Sequence, residues 1–196
     1  MARPTDTRER ILSAARALFT EKGVQQTSLR DIAEHLGLTK PALYYHFDSR
    51  EALVASLVQP LIDDCEAFVA ERVGAPPAEL RVLLSDYFDL LHRHRELLTL
   101  LVRDLSTLGA LDLGPRLLEW RQRITVLLVG SRASLADRVR ATVAIGGLSD
   151  CIVELPGEPI EKVKAYAVEA AFAVLERAKG TVGSAARVAR AAARRS

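Results

Sequence analysis

Residues 28–47 are Ser28-Leu-Arg-Asp-Ile-Ala-Glu-His-Leu-Gly-Leu-Thr-Lys-Pro-Ala-Leu-Tyr-Tyr-His-Phe47. Their apolar positions predict two short helices, and Gly37 permits the tight turn between them. The second helix carries too many polar and aromatic side chains on one face to be a core helix. This combination is typical of a helix-turn-helix motif that enters the major groove of DNA.

The residues before this motif predict another amphipathic helix, from Thr7 to Lys22. We expect Thr5 or Asp6 to be its N-cap and Gly23 to end it, because glycine tolerates a positive φ at a helix terminus. Its inner stripe has the spacing i, i+3, i+4, i+7, i+8 and consists of Ile11, Ala14, Ala15, Leu18 and Phe19.

The caps of the two motif helices can also be read from the sequence. Ser28 and Asp31 have the spacing of a capping box, and Thr39 is a good N-cap for the second helix. Leu43 and Phe47 lie four residues apart and are expected to face inward. The polar and aromatic side chains between them are then left for a partner, which we expect to be DNA.

The stretch from Ile11 to Leu53 resembles the DNA-binding domain of the TetR family of bacterial transcriptional repressors. The matching pieces are Ile11-Leu-x-Ala-Ala-x-x-Leu-Phe19, Gly23, Thr27-Ser28, Asp31-Ile32-Ala33, Gly37, Leu43-Tyr44-x-His46-Phe47 and Arg50-Glu51-x-Leu53. In that family the third helix reads bases.

The resemblance implies roles for individual residues. Those expected at base edges are Lys40, Pro41 and Tyr45, and those expected at phosphates are Ser28, Tyr44, His46 and Arg50. Arg30 is expected to reach either, and Thr39 begins the reading helix. Arg50 replaces the lysine that is most common at its position in the family.

Interpretations without DNA binding stay open for this region. Short apolar helices around a glycine turn also occur in helical bundles that bind no DNA. Arg30 has the i, i+4 spacing to pair with Glu34 instead of a phosphate.

Composition and charge limit the class of protein. The chain has 196 residues, of which 49% are hydrophobic, and a net charge of +2. This charge divides into +2 over residues 1–50, −5 over residues 51–177 and +5 over residues 178–196. An acidic body with a modestly basic head suits a protein that touches DNA at one end.

Other classes of site find little support in the sequence. Cys65 and Cys151 are too few for a disulfide scaffold or a zinc site, and we expect small buried side chains instead. His92 and His94 diverge on a helix, and the sequence has no nucleophile elbow or phosphate loop. We therefore expect no enzyme, no cofactor and no metal.

Neither a membrane span nor a signal peptide is predicted. No apolar run approaches the ~20 residues that a membrane span needs, and the first residues lack the apolar segment of a signal peptide. We expect a cytoplasmic protein with no membrane partner.

The rest of the chain is predicted to be helical. A fourth helix from Ser49 to about Val73 has the inner stripe Leu53, Leu57, Leu61, Cys65 and Phe68. Residues 77–107 predict two helices with a break near His94, and a loop over 108–115 precedes a helix from Pro115 to Val129. Two long helices follow, over Ser134–Glu154 and Ile160–Arg177.

In the TetR family the last two long helices form a dimer, which implies a homodimer here. The candidate interface residues are Ala144, Leu148, Cys151, Ile152, Val163, Tyr166, Ala167, Ala170 and Val174. The alternative is that these residues form an ordinary intramolecular core.

The family also implies a pocket for a small hydrophobic or amphipathic ligand between the helices after Pro77. Its candidate residues are Tyr87, Phe88, His92, Arg103, Trp120 and Arg123. The alternative is that they are ordinary core or surface residues, as such residues more often are.

The sequence thus predicts an all-α protein. We expect a three-helix DNA-binding domain over residues 1–50, a helical ligand-binding and dimerisation domain over 51–178, and a basic tail over 179–196 that is either a frayed helix or disordered. The expected function is a ligand-responsive homodimeric repressor on a palindromic operator in double-stranded DNA. The alternatives are a constitutive regulator without an inducer, and an enzyme or carrier whose helix-turn-helix is vestigial.

Overall fold

The computed structural model describes the backbone of residues 4–73, 79–103 and 113–193, and the side chains of residues 6–73, 79–102 and 115–176. All regular structure in these ranges is helical, which confirms the all-α prediction. The chain forms two compact units, one of residues 1–67 and 94–119 and one of residues 68–93 and 120–196.

The first helix, α1 (Pro4–Lys22), buries the predicted stripe. Gly23 ends it with a φ of +89°, as predicted. The prediction that Thr5 or Asp6 is the N-cap was wrong, since both lie inside the first turn. Proline is well suited to the first turn of a helix. The positive end of the helix dipole stabilises the Asp6 carboxylate in that turn.

The helix-turn-helix consists of α2 (Leu29–Leu36) and α3 (Lys40–His46). The predicted turn residue Gly37 adopts a left-handed φ of +64° between them. Leu43 and Phe47 are buried, as predicted from their spacing. On the inner face of α2, Leu29, Ile32 and Ala33 are buried and Leu36 is half-buried.

The fourth helix, α4 (Arg50–Ala70), ends three residues before the predicted boundary, and its predicted inner stripe is buried throughout. Pro60 lies inside α4, where it supplies no backbone N–H for a helical hydrogen bond, and its side chain is exposed. Residues 74–77, which directly follow the predicted end of this helix, lie outside the described residues.

The break predicted near His94 is confirmed, because α5 (Leu80–Arg93) and α6 (Arg95–Arg103) meet there. His94 Nε2 lies 2.8 Å from Asp64 Oδ2 of α4. The next helix, α7 (Leu113–Val129), begins two residues before the predicted start, so the end of the predicted loop is helical.

The last two helices are α8 (Leu135–Glu154) and α9 (Ile160–Ala193). A capping box of Ser134 and Asp137 begins α8. The backbone of α9 continues well beyond the predicted end at Arg177, so the part of the basic tail up to Ala193 follows the helical alternative.

Contacts between helices hold the second unit together. Here α8 packs along α9, and α5 packs on both. Lys164 Nζ lies 2.6 Å from Asp89 Oδ2, and the Arg81 guanidinium pairs with Glu169 and lies 3.6 Å from the centre of the Phe172 ring. Within the ranges that the structure describes, no helix has the length and apolar character to cross a membrane.

Candidate DNA-binding surface

Helix α3 is held by one cap and two buried side chains. The Thr39 hydroxyl accepts a hydrogen bond from the Ala42 backbone N–H at 3.3 Å. Leu43 and Phe47 anchor the inner face, and the outer face leaves Tyr44 41% and Tyr45 82% exposed. A rigid helix therefore presents two tyrosines to solvent, although large aromatic side chains are usually at least partly buried.

The outward side chains of α3 contact one another. Lys40 Nζ lies 5.5 Å from the centre of the Tyr44 ring, within the range of a cation–π contact. The rings of Tyr45 and His46 meet edge to face with their centres 5.3 Å apart. The exposed face therefore carries one cation, two phenol hydroxyls and an imidazole, which are groups that bind phosphates and base edges.

The start of α2 is fixed by the predicted capping box. The Ser28 hydroxyl accepts from the Asp31 N–H at 3.2 Å, and the Asp31 carboxylate accepts from the Ser28 N–H at 2.8 Å. The Ser28 hydroxyl also donates to the Asp31 carboxylate at 2.7 Å. The bonds that this carboxylate accepts from the Ser28 backbone and side chain hold the pKa of Asp31 below its usual value. The turn that precedes α2 is thus locally ordered.

Arg30 makes the pairing that the sequence left open. Its Nε lies 2.7 Å from Glu34 Oε1, and this hydrogen bond, followed by the Glu34 charge, raises the pKa of Arg30. The Arg30 side chain remains largely exposed. An exposed pair of this kind contributes little to stability, so a phosphate can compete for the guanidinium.

Arg50, at the first position of α4, is engaged within the protein. Its guanidinium donates to the backbone oxygens of Val24 and Gln25 at 3.4 and 3.3 Å and to Gln25 Oε1 at 3.1 Å. Its Nη2 also lies 3.5 Å from Glu51. A phosphate would therefore compete with Val24, Gln25 and Glu51 for the guanidinium of Arg50.

The nine candidate DNA-binding residues all lie in the first compact unit, at the start of α2, along α3 and at the start of α4. His46 and Arg50 are half-buried. The exposed ones are Ser28, Arg30, Thr39, Lys40, Pro41, Tyr44 and Tyr45. Contact of these residues with DNA stays a prediction.

Two supporting residues were given no role by the sequence. Thr27 is completely buried, and its hydroxyl donates to the Gly23 backbone oxygen at 2.9 Å. Arg8 donates to Ser56 Oγ at 3.0 Å and lies 5.1 Å from the centre of the Phe47 ring. The signal for Thr27 was a threonine directly before a capping serine, whereas Arg8 gave no signal in the sequence.

The candidate ligand residues are partly brought together in the second unit. Tyr87 is buried, and its ring centre lies 5.7 Å from that of Trp120 and 6.0 Å from that of Phe68. Phe88 is buried and stacks on His92 at 6.4 Å.

The remaining polar candidates are placed differently. Trp120 has a buried indole N–H without an acceptor among the side chains and backbone that the structure describes. Arg123 is exposed, and the side chain of Arg103 lies outside the described residues.

A cleft of about 460 Å³ lies elsewhere, within the first unit. It is lined by the end of α1 and the following loop, with Thr99 and Leu100 of α6 opposite. It shares no residue with the predicted ligand set.

The candidate dimer residues divide into two groups. Those buried within the chain itself, as in the intramolecular alternative, are Ala144, Leu148, Ile152, Val163 and Ala167. Cys151 and Val174 are half-buried, and Tyr166 and Ala170 are exposed.

Each of the two last helices nevertheless keeps an exposed face of apolar and small residues. These residues are Val139, Val143 and Gly147 on α8 and Tyr166, Ala170 and Ala173 on α9. The first three have the i, i+4, i+8 spacing of one helix face.

The cysteines and acidic groups form no further site in the part of the chain that is described. Both cysteines are free thiols. Cys65 is buried as expected, and burial raises its pKa to about 12. Cys151 is only half-buried, so the expectation of a buried side chain was wrong there. Within the same ranges, no three potential ligands among His, Cys, Asp and Glu lie together as a metal site.

The amino-terminal region of the chain is similar in sequence to known proteins. The family model described as "Bacterial regulatory proteins, tetR family" covers residues 11–57. The repressor KstR2 of Rhodococcus jostii is 40% identical over 57 residues, which are 29% of this chain and 28% of that protein. The regulator EthR of Mycolicibacterium smegmatis is 36% identical over 80 residues, which are 40% and 37% of the two chains.

The aligned region spans less than half of the length of these curated relatives. Solved structures match over more of the chain. A transcriptional regulator from Aquifex aeolicus has a TM-score of 0.68 at 23% identity, over 84% of this chain and 96% of that one. KstR2 of Mycobacterium tuberculosis has a TM-score of 0.63 at 21% identity, over 89% and 95%.

At these identities the structural matches establish the fold, and the sequence match establishes the kinship of the amino-terminal domain. The sequence match agrees with the motif in α2 and α3. The amino-terminal domain therefore belongs to the TetR family of bacterial regulatory proteins, and the chain shares the fold of the solved regulators that it resembles.

Proposed function

We propose that this protein is a transcriptional regulator that binds a palindromic operator as a homodimer and represses transcription until a small molecule binds. The observation that carries the proposal is the outer face of α3, where Lys40, Tyr44 and Tyr45 stand exposed on a capped and anchored helix. A partner that contacts this face must accept hydrogen bonds and complement a positive charge, and the major groove of DNA offers both.

In the proposed complex, α3 lies in the major groove. Lys40 and Tyr45 contact base edges, and the exposed ring of Pro41 packs against a thymine methyl group. Tyr44 and His46 donate to phosphates on either side of the groove. Ser28, at the positive end of the α2 dipole, faces a further phosphate.

The proposed dimer pairs the exposed faces of α8 and α9 with the same faces of a second copy. Val139 and Val143 are both more than half exposed in the single chain, and Tyr166 is 76% exposed. Burying such a face is favourable, and an isologous pairing uses the same patch on both copies. Two α3 helices then enter the groove roughly 34 Å apart, or at a multiple of that distance.

A ligand site is proposed around the ring cluster of Phe68, Tyr87 and Trp120. The rings supply an apolar wall, and the buried indole N–H of Trp120 supplies a donor that lacks an acceptor within the described part of the chain. A flat apolar molecule with one hydrogen-bond acceptor matches this combination. Ligand and operator must then weaken each other's binding by the same factor, because linkage is reciprocal.

The alternative is a constitutive regulator with the same DNA-binding surface and no inducer. It is favoured by the close packing of the ring cluster, since Tyr87 and Phe88 are already buried without a ligand. A thermal-shift screen with flat apolar compounds separates the two, because binding to the folded protein raises its melting temperature. Calorimetric titration of a hit with and without operator then measures the coupling.

The decisive experiment is selection of bound sequences from random double-stranded DNA. We expect enrichment of a palindrome whose half-sites are about one helical turn apart. Its affinity should fall steeply with salt. Absence of any enriched sequence at low ionic strength would refute operator binding, and enrichment of a single half-site would refute the dimer.

A further inference from the structure

Arg50 joins the start of α4 to the loop between α1 and α2. One nitrogen of its guanidinium donates to two successive backbone oxygens, at 3.4 Å for Val24 and 3.3 Å for Gln25. The other nitrogen donates to Gln25 Oε1 at 3.1 Å. The contacts span 25 and 26 positions of sequence, and the arginine side chain is 29% exposed.

Two side chains, those of Thr27 and Arg50, donate to backbone oxygens of this loop. Gly23 turns the chain with a positive φ, and Val24 is buried. Thr27 satisfies the Gly23 oxygen with its hydroxyl and the Val24 oxygen with its backbone N–H at 3.3 Å. Arg50 donates to the backbone and side-chain oxygens of Gln25. This arginine and Thr27 therefore both help to hold the shape of the loop.

The loop leads directly into the helix-turn-helix. Thr27 is followed by Ser28, the N-cap of α2, and the capping box fixes the first turn of that helix. The position of the loop relative to α4 therefore sets where α2 begins. The position of α3 follows, because α3 packs on α2 after a single tight turn.

We propose that Arg50 is a positioning residue that ties α4 to the α1–α2 loop and thereby orients the DNA-reading helices, instead of gripping a phosphate itself. A planar guanidinium presents several donors in a fixed fork, whereas a lysine ammonium is a compact charge on a flexible stem. The contacts to Val24 and Gln25 use this fork.

The proposal gives α4 a route to the reading helices. A displacement of the first turn of α4 pulls on the loop through Arg50 and shifts the start of α2. This part of the inference rests on the proposed function, since it describes how a ligand-driven movement of α4 alters operator binding. The tie itself exists whether or not the protein binds DNA.

The first test compares Arg50→Lys and Arg50→Ala in operator binding at several salt concentrations. If Arg50 positions the loop, both variants weaken binding by roughly 10-fold. The slope of log affinity against log salt then stays that of the wild type. Arg10→Ala, which removes an exposed charge from α1, is the control for net charge.

A phosphate contact predicts a different pattern. Arg50→Lys would then keep nearly the wild-type affinity, and Arg50→Ala would reduce the salt slope by about 0.9. That pair of results would overturn the proposal. Equal loss in both variants with an unchanged slope would support it.

The second test does not depend on DNA. Chemical unfolding of Arg50→Ala, Gln25→Ala and the double variant forms a double-mutant cycle for the side-chain contact. We expect the two losses to be less than additive, because each variant removes the same hydrogen bond. Strictly additive losses in the free energy of unfolding would refute the contact between Arg50 and Gln25. Coupled losses in a protein that selects no DNA sequence would refute only the proposed function.

Discussion

Lys40 Nζ stands 5.5 Å from the centre of the Tyr44 ring, one turn apart on the outer face of α3. At an exposed site such a contact stabilises the pair by about 0.5–1 kcal/mol. This is enough to bias the lysine towards one direction without immobilising it. We therefore expect the two side chains to enter a DNA groove as a linked pair, although their proposed partners differ.

We expect Lys40→Ala and Tyr44→Phe to weaken operator binding in different ways. Loss of a base contact removes about 1–3 kcal/mol of discrimination at particular base pairs. Loss of a phosphate contact weakens binding evenly across operator variants. Binding of both variants to an operator library measures this difference, and identical profiles would contradict the assignment of roles.

Val143→Arg should convert the proposed dimer into a monomer. The substitution places a charge in the middle of the exposed face of α8, where desolvation without a partner is costly. Loss of the second reading helix then reduces affinity for a palindrome by about 100-fold or more. Sedimentation and DNA titration measure both effects.

Val82→Arg, at an exposed position of α5, is the matched control for that experiment. It introduces the same charge away from the proposed dimer face and should leave the protein dimeric. A Val143→Arg protein that still sediments as a dimer would place the interface elsewhere.

Thr27→Val should destabilise the DNA-binding domain although it conserves the side-chain shape. The buried Thr27 hydroxyl donates to the Gly23 backbone oxygen at 2.9 Å. Valine removes this donor from the Gly23 oxygen. We expect the free energy of unfolding to fall by about 1–3 kcal/mol. Denaturant titration measures the change.

Thr20→Val provides a control with the same chemistry. The Thr20 hydroxyl also donates to a backbone oxygen at 2.9 Å, but this residue lies on the exposed face of α1. Water can replace that bond, so we expect a change within about 0.5 kcal/mol. Equal losses in both variants would show that burial of Thr27 is irrelevant.

Acid should abolish the contribution of the Asp31 capping box. Hydrogen bonds from the Ser28 backbone and side chain hold the pKa of Asp31 below its ordinary value of 3.8. A lowered folded pKa stabilises the protein above the ordinary value, and this stabilisation disappears as the pH falls through the folded pKa.

The melting temperature of Asp31→Asn should therefore lie below that of the wild type at pH 6, and the difference should shrink below pH 3.8. Asp137→Asn should behave in the same way, because bonds from Ser134 lower the pKa of Asp137. A difference in melting temperature that is as large at strongly acid pH as at pH 6 would contradict the role of the carboxylates.

The local features of the DNA-binding domain were predictable because they depend on short-range chemistry. The Ser28–Asp31 capping box, the left-handed Gly37 and the Thr39 cap each involve residues within a few positions of one another. The first helix was mispredicted at its start for the same reason. Three adjacent residues all suit a helix N-terminus, and local preference alone does not choose among them.

The dimer candidates show where periodicity fails. An apolar stripe on a helix looks the same whether it packs inside the chain or against a second copy. Leu148 and Val163 turned out to be buried within the chain, while Val143, at an equally apolar position, is exposed. Only the packing of α8 on α9 separates these cases.

The sequence by itself determined that the protein is helical, where the reading helix begins and which of its faces is apolar, because helix periodicity and capping are encoded within single turns. The tertiary structure decided which polar side chains stay available to a partner. Arg30 and Arg50 look alike in the sequence, but one pairs along its own helix and the other holds a loop about 25 positions away. Contacts over such separations depend on how the helices pack, and no local pattern specifies that packing.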